Sequence, residues 1–331
     1  METSLFDYDL PASAIAQTPA EPRDSSRLLI DGDTIQHKIV RDLPTLLQPG
    51  DLVVLNNTRV MQARLNLFKP TGGAVEVLVL NEKSEDLWEA LIRPSRKVAS
   101  GTFLYNTSGH PAIQVMGQGS ANSRIVRAVD GTIRDVMETY GNIPLPPYIT
   151  TSLEDSERYQ TVFAKHETSV AAPTAGLHLT QSVLDRAHLA GANVASVELS
   201  VGLGTFRPID TNSVSDHSMH EESYQISPET WEKLLKAKRV IAIGTTVVRA
   251  LETAAITENL VGTTNLFIKP GFEFKIVQGL LTNFHLPRSS LLVMIEAFVG
   301  PRWRHLYSMA LKESYRFLSF GDAMFLQRDA V

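Results

Sequence analysis

The most constraining feature of this sequence is a block of short strand-like segments in its first half. Five such segments, separated by breaks that contain Gly, Ser or Asn, lie at residues 75–80, 87–92, 102–105, 112–116 and 124–129. This spacing is typical of a small barrel or sandwich. The run PLPP at residues 144–147 ends the block, because proline continues neither a helix nor a central strand. Residues 65–148 are therefore predicted to form a small all-β, barrel-like domain.

Strand-like and helix-like segments alternate in the rest of the chain. A buried strand at residues 240–243 leads into a helix, and Thr180 is placed to cap another helix. The start of the chain shows this α/β pattern and not the closely spaced strand-like segments of the β block. We therefore predict a mixed α/β main domain, made of residues 1–64 and 149–331 and interrupted by the inserted domain at 65–148.

The chain of 331 residues contains no cysteine. Disulfides, thiolate zinc sites, iron–sulfur clusters and cysteine nucleophiles are all excluded on that ground. The first residues, METSLFD, are acidic and lack the basic and apolar regions of a signal peptide. The most apolar stretch, residues 291–299, contains Glu296 and is far shorter than the roughly 20 residues of a membrane span. We expect a cytoplasmic protein with no membrane partner.

The net charge of −5 conceals an uneven distribution. Residues 151–235 carry 5 Lys and Arg against 12 Asp and Glu, whereas residues 236–331 carry 12 against 7. A positive surface near the C-terminus is what a polyanionic partner requires. Taken alone, the charge distribution is better explained by an uneven solvated surface.

Three turns concentrate the residue types that chemistry uses: APTAGLH at residues 172–178, IGTT at 243–246 and TNFHLP at 282–287. Each precedes a predicted helix, whose free N–H groups and dipole suit a carboxylate or a phosphate. Taken singly, each turn is explained by a capping threonine or by a histidine bonded to the backbone. Together they indicate a shared pocket. His178 and His285 are the candidate general bases, because imidazole titrates near neutral pH.

A fourth segment, VGLGTF at residues 201–206, has two glycines that either let a backbone approach a ligand or form a tight turn. The chain has no Walker loop and no glycine triplet of the dinucleotide-binding type. Residues 216–222 carry two histidines and adjacent carboxylates, which a solvated acidic turn explains better than a metal site. The candidate cofactor-binding residues are Thr174, Gly176, Gly202, Gly204, Thr205, Gly244, Thr245 and Thr246.

The segments taken together, in this order, resemble the S-adenosylmethionine:tRNA ribosyltransferase-isomerase family of queuosine biosynthesis. Besides the four segments above, the resemblance rests on FDYDLP at 6–11, RDSSRLL at 23–29, PGDLVVLNNTRV at 49–60, PLPPYI at 144–149, RYQTVF at 158–163, MHE at 219–221 and YRFLSFGDAM at 315–324. It extends over nearly the whole chain. Three positions depart from the family pattern: Ser200 replaces a histidine, Gln278 an aspartate and Glu296 a small residue.

The resemblance implies a mixed α/β domain with an inserted β-barrel-like domain, S-adenosylmethionine as co-substrate and a tRNA that bears the queuosine precursor base as partner. The implied reaction joins the ribosyl portion of S-adenosylmethionine to the aminomethyl group of a deazaguanine at the wobble position. It forms epoxyqueuosine and releases adenine and methionine. A monomer that needs no metal ion is expected. His178 is preferred to His285 as the initiating base, because a turn with Pro and Gly ahead of a capped helix should hold it rigidly.

The tRNA is expected to dock on the C-terminal basic segment through Arg302, Arg304, Lys312 and Arg316. Trp303 stands between two arginines, which suits phosphate contact combined with base stacking. The alternative is a buried Trp303 with arginines in surface ion pairs. Two other functions stay open: a transferase acting on a small deazapurine, and a non-catalytic RNA-binding protein.

Overall fold

A computed structural model describes residues 1–120, 122–202 and 208–328 of the chain. Its strands are β1 (Arg27–Ile30), β2 (Gln36–Ile39), β3 (Asp51–Asn56), β4 (Thr58–Val60), β5 (Arg64–Phe68), β6 (Ala74–Ser84), β7 (Leu87–Arg93), β8 (Phe103–Tyr105), β9 (Pro111–Gln118), β10 (Arg124–Ala128), β11 (Gly141–Asn142), β12 (His166–Ser169), β13 (Asn193–Leu199), β14 (Glu222–Gln225), β15 (Arg239–Ile243), β16 (Val261–Thr264), β17 (Gly279–Asn283) and β18 (Ala323–Gln327). Its helices are α1 (Ile133–Tyr140), α2 (Gln181–Leu189), α3 (Pro228–Lys236), α4 (Thr245–Thr257), α5 (Ser290–Val299) and α6 (Trp303–Lys312).

The chain divides into two compact units. The larger unit comprises Met1–Arg59, Pro146–His166 and Ala172–Val331, and the smaller comprises Val60–Leu145 and Glu167–Ala171. The smaller unit thus takes in residues 60–64 and 167–171 in addition to most of the segment 65–148. The sequence-based boundaries stay a prediction.

The larger unit is built on a nine-stranded mixed sheet with the order β16-β14-β13-β3-β15-β17-β18-β1-β2. At its centre, β13, β3, β15 and β17 are parallel neighbours, and β14 and β18 flank them in the antiparallel direction. Every residue of β3 is buried, as in parallel strands that are covered on both faces. The carboxyl ends of parallel strands meet at one edge of a sheet, where ligands bind in open α/β folds. The segments that follow β13, β15 and β17 are the ones singled out in the sequence.

Helices α2 and α4 pack on this sheet. The Thr180 side chain accepts a hydrogen bond from the Val183 N–H, so the predicted cap of α2 is confirmed. α2 buries Val183, Leu184 and Ala187 in a cluster with side chains of β1, β3 and β15. α4 is buried over its first ten residues and contacts all four parallel strands. An apolar helix of this kind belongs to the interior.

The smaller unit is a closed six-stranded antiparallel barrel in the order β5-β6-β7-β10-β9-β8, closed by pairing of β5 with β8. Alternate side chains such as Leu65 and Leu67 of β5 fill its interior. A mixed α/β domain accompanied by a barrel-like all-β domain is thus confirmed as the fold class. The sequence analysis missed α1, although Thr132 and Asp135 form a capping box at its start, which is a readable local signal.

Within the described ranges, no helix combines the length and the apolar character that crossing a bilayer requires.

Candidate active site

Two adjoining cavities in the larger unit lie at the carboxyl ends of β15 and β17. Both are lined by Thr174, Asn283, His285 and Leu291. One of them is also lined by Ala172, Pro173, Ala175, Val201, Gly244, Thr245, Thr246 and Thr282. The sheet topology therefore brings the turns at 172–178, 243–246 and 282–287 together around one space. These three turns were predicted to share a pocket, and Val201, which belongs to the fourth segment at residues 201–206, lines the same cavity.

The start of α4 presents unsatisfied polar groups to this space. Gly244 precedes the helix with a φ of +94°, and no side chain caps it. The first N–H groups of a helix have no partner within it. Thr246 is 7% exposed, and its Oγ1 has no hydrogen-bond partner among the described residues. A buried hydroxyl without a partner costs about 1–3 kcal/mol, so this atom indicates a place for a ligand atom.

The structure gives Gly176 a role in packing. A Cβ at this position would lie 2.8 Å from the Phe163 ring and 3.0 Å from the Thr161 methyl group. Gly176 is therefore required by the close approach of these side chains. Thr174, the other residue of this turn that was predicted to bind the cofactor, lines both cavities.

A buried hydrogen-bonded chain connects the cavities to the histidine of the first turn. Thr174 Oγ1 donates to Asn283 Oδ1 at 2.9 Å, and Asn283 Nδ2 donates to His178 Nε2 at 3.0 Å. His178 Nδ1 lies 3.0 Å from Ser26 Oγ. Because an amide N–H donates to Nε2, the proton of the neutral ring belongs on Nδ1. Asn283 and Ser26 were not among the predicted site residues, although both lie in motifs that carried the family resemblance.

His178 is held in its uncharged form. Burial lowers its pKa to about 4, and the charges of Arg316, Arg158 and Arg23 act in the same direction. At neutral pH the ring has no charge, and the lone pair of Nε2 is occupied by the Asn283 amide. His178 therefore orients Asn283, and Asn283 faces the cavities.

His285 lines both cavities itself. Its Nε2 lies 2.9 Å from Thr282 Oγ1, and its main-chain N–H donates to the Tyr307 hydroxyl at 3.0 Å. The Tyr8 hydroxyl donates to its carbonyl oxygen. Burial lowers the pKa of His285 to about 3. Among the described residues Nδ1 has no hydrogen-bond partner, so the uncharged ring has a nitrogen available to a ligand.

A buried ion pair anchors the glycine segment that follows β13. The Gly202 N–H donates to Glu222 Oε1 at 3.0 Å, and Glu222 pairs with Arg249. Arg249 also donates to the carbonyl oxygens of Leu266 and Thr264. This arrangement anchors Gly202 beside Val201. The predicted residues Gly204 and Thr205 lie outside the described residues.

The acidic turn at residues 216–222 was weighed as a metal site and judged a solvated turn. In the part of the chain that the structure describes, no group of three or more His, Asp or Glu side chains is arranged to hold a metal ion. Glu222 instead serves the ion pair with Arg249.

The two predicted RNA-binding arginines at the start of α6 have partners within the chain. Arg302 pairs with Asp31 at 2.9 Å, and Arg304 pairs with Glu296 at 3.1 Å. Trp303 is 1% exposed and donates through Nε1 to Glu296. A side chain with that exposure cannot stack on a base, so the stacking prediction is wrong. The arrangement is the alternative weighed for this segment, a buried Trp303 with arginines in ion pairs.

The other two predicted RNA-binding residues lie beyond this cluster. Lys312 is exposed at the end of α6. Arg316 donates to the Thr18 carbonyl oxygen at 3.1 Å, and its charge contributes to the lowered pKa of His178. Of the four, Arg316 is thus the one whose charge acts on the group beside the cavities.

Two of the three departures from the family pattern have structural roles. Gln278 Oε1 accepts from the Val240 N–H at 2.7 Å and so extends the pairing of β15 with β17. Glu296 accepts from Trp303 and pairs with Arg304. Ser200 is held through its main-chain N–H, which donates to the Ser223 carbonyl.

Comparisons with known proteins agree over nearly the full chain. A family profile described as queuosine biosynthesis protein matches residues 3–326. The S-adenosylmethionine:tRNA ribosyltransferase-isomerase of Thermotoga petrophila is 46% identical over 98% of this chain and 100% of its own length. That of Clostridioides difficile is 44% identical over 99% and 100%. The crystal structure of S-adenosylmethionine tRNA ribosyltransferase from Thermotoga maritima is 36% identical, with a TM-score of 0.56 over 97% of this chain and 99% of that one.

Proposed function

The chain belongs to the queuosine biosynthesis protein family, and on that premise we propose that it is an S-adenosylmethionine:tRNA ribosyltransferase-isomerase. It transfers and isomerises the ribosyl moiety of S-adenosylmethionine onto the aminomethyl-deazaguanine at the tRNA wobble position. The products are epoxyqueuosine, adenine and methionine. We further propose that it works in the cytoplasm as a monomer, without a metal ion.

The observation that carries this proposal is the meeting of the α4 N-terminus with His285 in one space. The amino-acid carboxylate of S-adenosylmethionine suits the N–H groups of Thr245 and Thr246 at the start of α4, because a helix N-terminus attracts anions. The Thr246 hydroxyl, which has no partner among the described residues, supplies a further hydrogen bond. Thr174, Gly202, Gly204 and Thr205 remain in the proposed binding set.

S-adenosylmethionine supplies a sulfonium that acidifies the neighbouring ribose hydrogen, and it carries both leaving groups. The chain has to accept that proton and to hold the reactants in place. We assign the proton to Nδ1 of His285, because this ring is uncharged and lines the cavity. His178 is assigned the positioning of Asn283. This ranking reverses the one made from the sequence, because both nitrogens of His178 already have partners.

The test is to incubate the chain with S-adenosylmethionine and with tRNA that bears the precursor base. Release of adenine and methionine only when this tRNA is present supports the proposal, with epoxyqueuosine identified in the tRNA by mass spectrometry. Release of adenine and methionine when the free deazapurine replaces the tRNA would show that the chain is a transferase acting on a small deazapurine. Binding of tRNA without release under any condition would show a non-catalytic RNA-binding protein.

The assignment of His285 is tested by His285→Ala, which should reduce turnover roughly 100-fold or more if the ring is the general base. His188→Ala removes an exposed histidine from α2 and should leave turnover unchanged. Near-native turnover in His285→Ala, with the fold intact by circular dichroism, would remove His285 from the mechanism.

A further inference from the structure

Three guanidinium groups lie around the chain segments 18–23 and 157–160, beside the candidate active site. They belong to Arg23, Arg158 and Arg316, which are distant in sequence. Their hydrogen bonds go to main-chain carbonyl oxygens: those of Gln160 and Glu157 at 2.6 and 2.7 Å for Arg23, of Ala20 at 2.5 Å for Arg158, and of Thr18 at 3.1 Å for Arg316. Because these carbonyl acceptors are neutral, they fix the side chains without neutralising the positive charge of the guanidinium groups.

The acidic groups around the cluster offset little of this charge. Glu21 lies 3.2 Å from Arg158 but is 78% exposed, and Glu157 is 58% exposed and pairs with Arg59. Solvent-exposed ion pairs contribute little, because water screens them. Buried Asp322 accepts hydrogen bonds from two main-chain N–H groups, those of Arg27 and Arg316. Burial is the main cause of the lowered pKa of Arg23; the charge of Arg158 acts in the same direction, and the charges of Glu21, Asp155 and Glu157 act against it.

The cluster lines a cavity that shares one lining residue with the active-site cavities. Arg23 and Arg158 line this cavity with Ser26, His178 and Ser319. Ser319 also lines one of the two cavities that contain His285. An anion placed between Arg23 and Arg158 would thus lie one side chain away from the space assigned to the reaction.

We propose that Arg23 and Arg158, reinforced by Arg316, bind a backbone phosphate of the tRNA next to the modified nucleotide. The inference rests on the proposed function. Guanidinium groups match phosphate oxygens with paired N–H donors, and phosphate contacts fix the register of a nucleic acid on a protein. The carboxylate of S-adenosylmethionine is the other anion available, and the α4 N-terminus with its unpaired Thr246 hydroxyl already provides a place for it.

The experiment measures tRNA affinity across a salt series for the native chain, Arg158→Gln and Arg316→Gln, with S-adenosylmethionine affinity measured in parallel by calorimetry. Glutamine removes the charge and keeps an N–H donor on a shorter, uncharged side chain. Each variant should bind tRNA roughly tenfold more weakly at low salt and lose about one unit of the salt slope. Affinity for S-adenosylmethionine should not change. Arg186→Gln, on the exposed face of α2, is the matched control and should bind tRNA like the native chain.

Two results would overturn the inference. One is native tRNA affinity and slope in both variants with the fold intact. The other is weakened binding of S-adenosylmethionine with tRNA binding unchanged, which would assign the cluster to the co-substrate carboxylate. Failure of the proposed function is distinguishable, because there the native chain itself would show no tRNA-dependent release of adenine.

Discussion

At the scale of single residues, the site depends on two histidines that stay uncharged. His178 and His285 lie in different turns, and burial is the main cause of the lowered pKa of each. An uncharged imidazole next to a sulfonium avoids repulsion between two cations. We therefore expect activity to persist as the pH falls through 6.5, the ordinary pKa of histidine, and not to titrate there.

These pKa values also make stability depend on pH. The unfolded chain binds protons at both histidines below about pH 6.5, whereas the folded chain binds them only near pH 4 and pH 3. Stability is therefore fully present above pH 6.5 and is lost as the pH falls through this window. Each histidine should contribute a loss of about 1.4 kcal/mol per pH unit.

The measurement is urea unfolding followed by circular dichroism between pH 7 and pH 4.5, for the native chain and His178→Gln. The variant should lose less stability per pH unit, by about the contribution of one histidine. His188→Gln, which removes an exposed histidine, should keep the native slope. An unchanged slope in His178→Gln would contradict the burial argument.

At the scale of elements, the start of α4 links backbone conformation to binding. Gly244 has a φ of +94° and a ψ of 152°, a region that residues with a Cβ rarely enter. The space itself is not the limit, since a Cβ would lie 3.6 Å from that of Ala175. The glycine is therefore required by the direction in which the chain enters the helix.

Gly244→Ala should cost about 1–3 kcal/mol of stability through this strain and should also weaken binding of S-adenosylmethionine, because the N–H groups at the helix start shift. Ser227→Ala is the matched control, since it removes the N-cap of α3. It should cost about 1 kcal/mol and leave co-substrate affinity unchanged. The affinity of both variants for S-adenosylmethionine is measured by calorimetric titration. Equal affinities in the two variants would show that the start of α4 takes no part in binding the co-substrate.

At the scale of the whole molecule, the two compact units should respond differently to the co-substrate. All the residues assigned to its binding belong to the larger unit. A ligand at 100 times its Kd stabilises the state that binds it by about 2.7 kcal/mol. Stabilisation of this kind should slow hydrogen exchange only where opening destroys the site.

Hydrogen exchange with and without S-adenosylmethionine tests this. Amides of β15, α4 and β17 should gain protection, up to roughly 100-fold where exchange requires opening of the larger unit. Amides of the barrel strands β5 to β10 should exchange at the same rate in both samples. Equal gains in the barrel would show that the co-substrate site or its coupling extends beyond the larger unit.

The sequence by itself determined the local features of this protein. Thr180 caps α2 as expected, because a cap needs only a side chain and the N–H groups a few residues later. The strand segments of the β block were also readable, since alternation and turn residues are local signals. The order of the motifs identified the family, because each motif occupies its own stretch of chain.

Only the tertiary structure decided which of these segments meet and which groups stay free. Closure of the barrel depends on β5 pairing with β8, and no residue of either strand encodes its partner locally. His178 and His285 look alike in the sequence, yet Ser26 and Asn283, distant in the chain, occupy both nitrogens of the first. Trp303 likewise resembles a base-stacking residue in the sequence, and only the packing shows that it is buried. The physical reason is that burial and hydrogen-bond partnership depend on long-range packing, whereas pattern and propensity depend on neighbours in the chain.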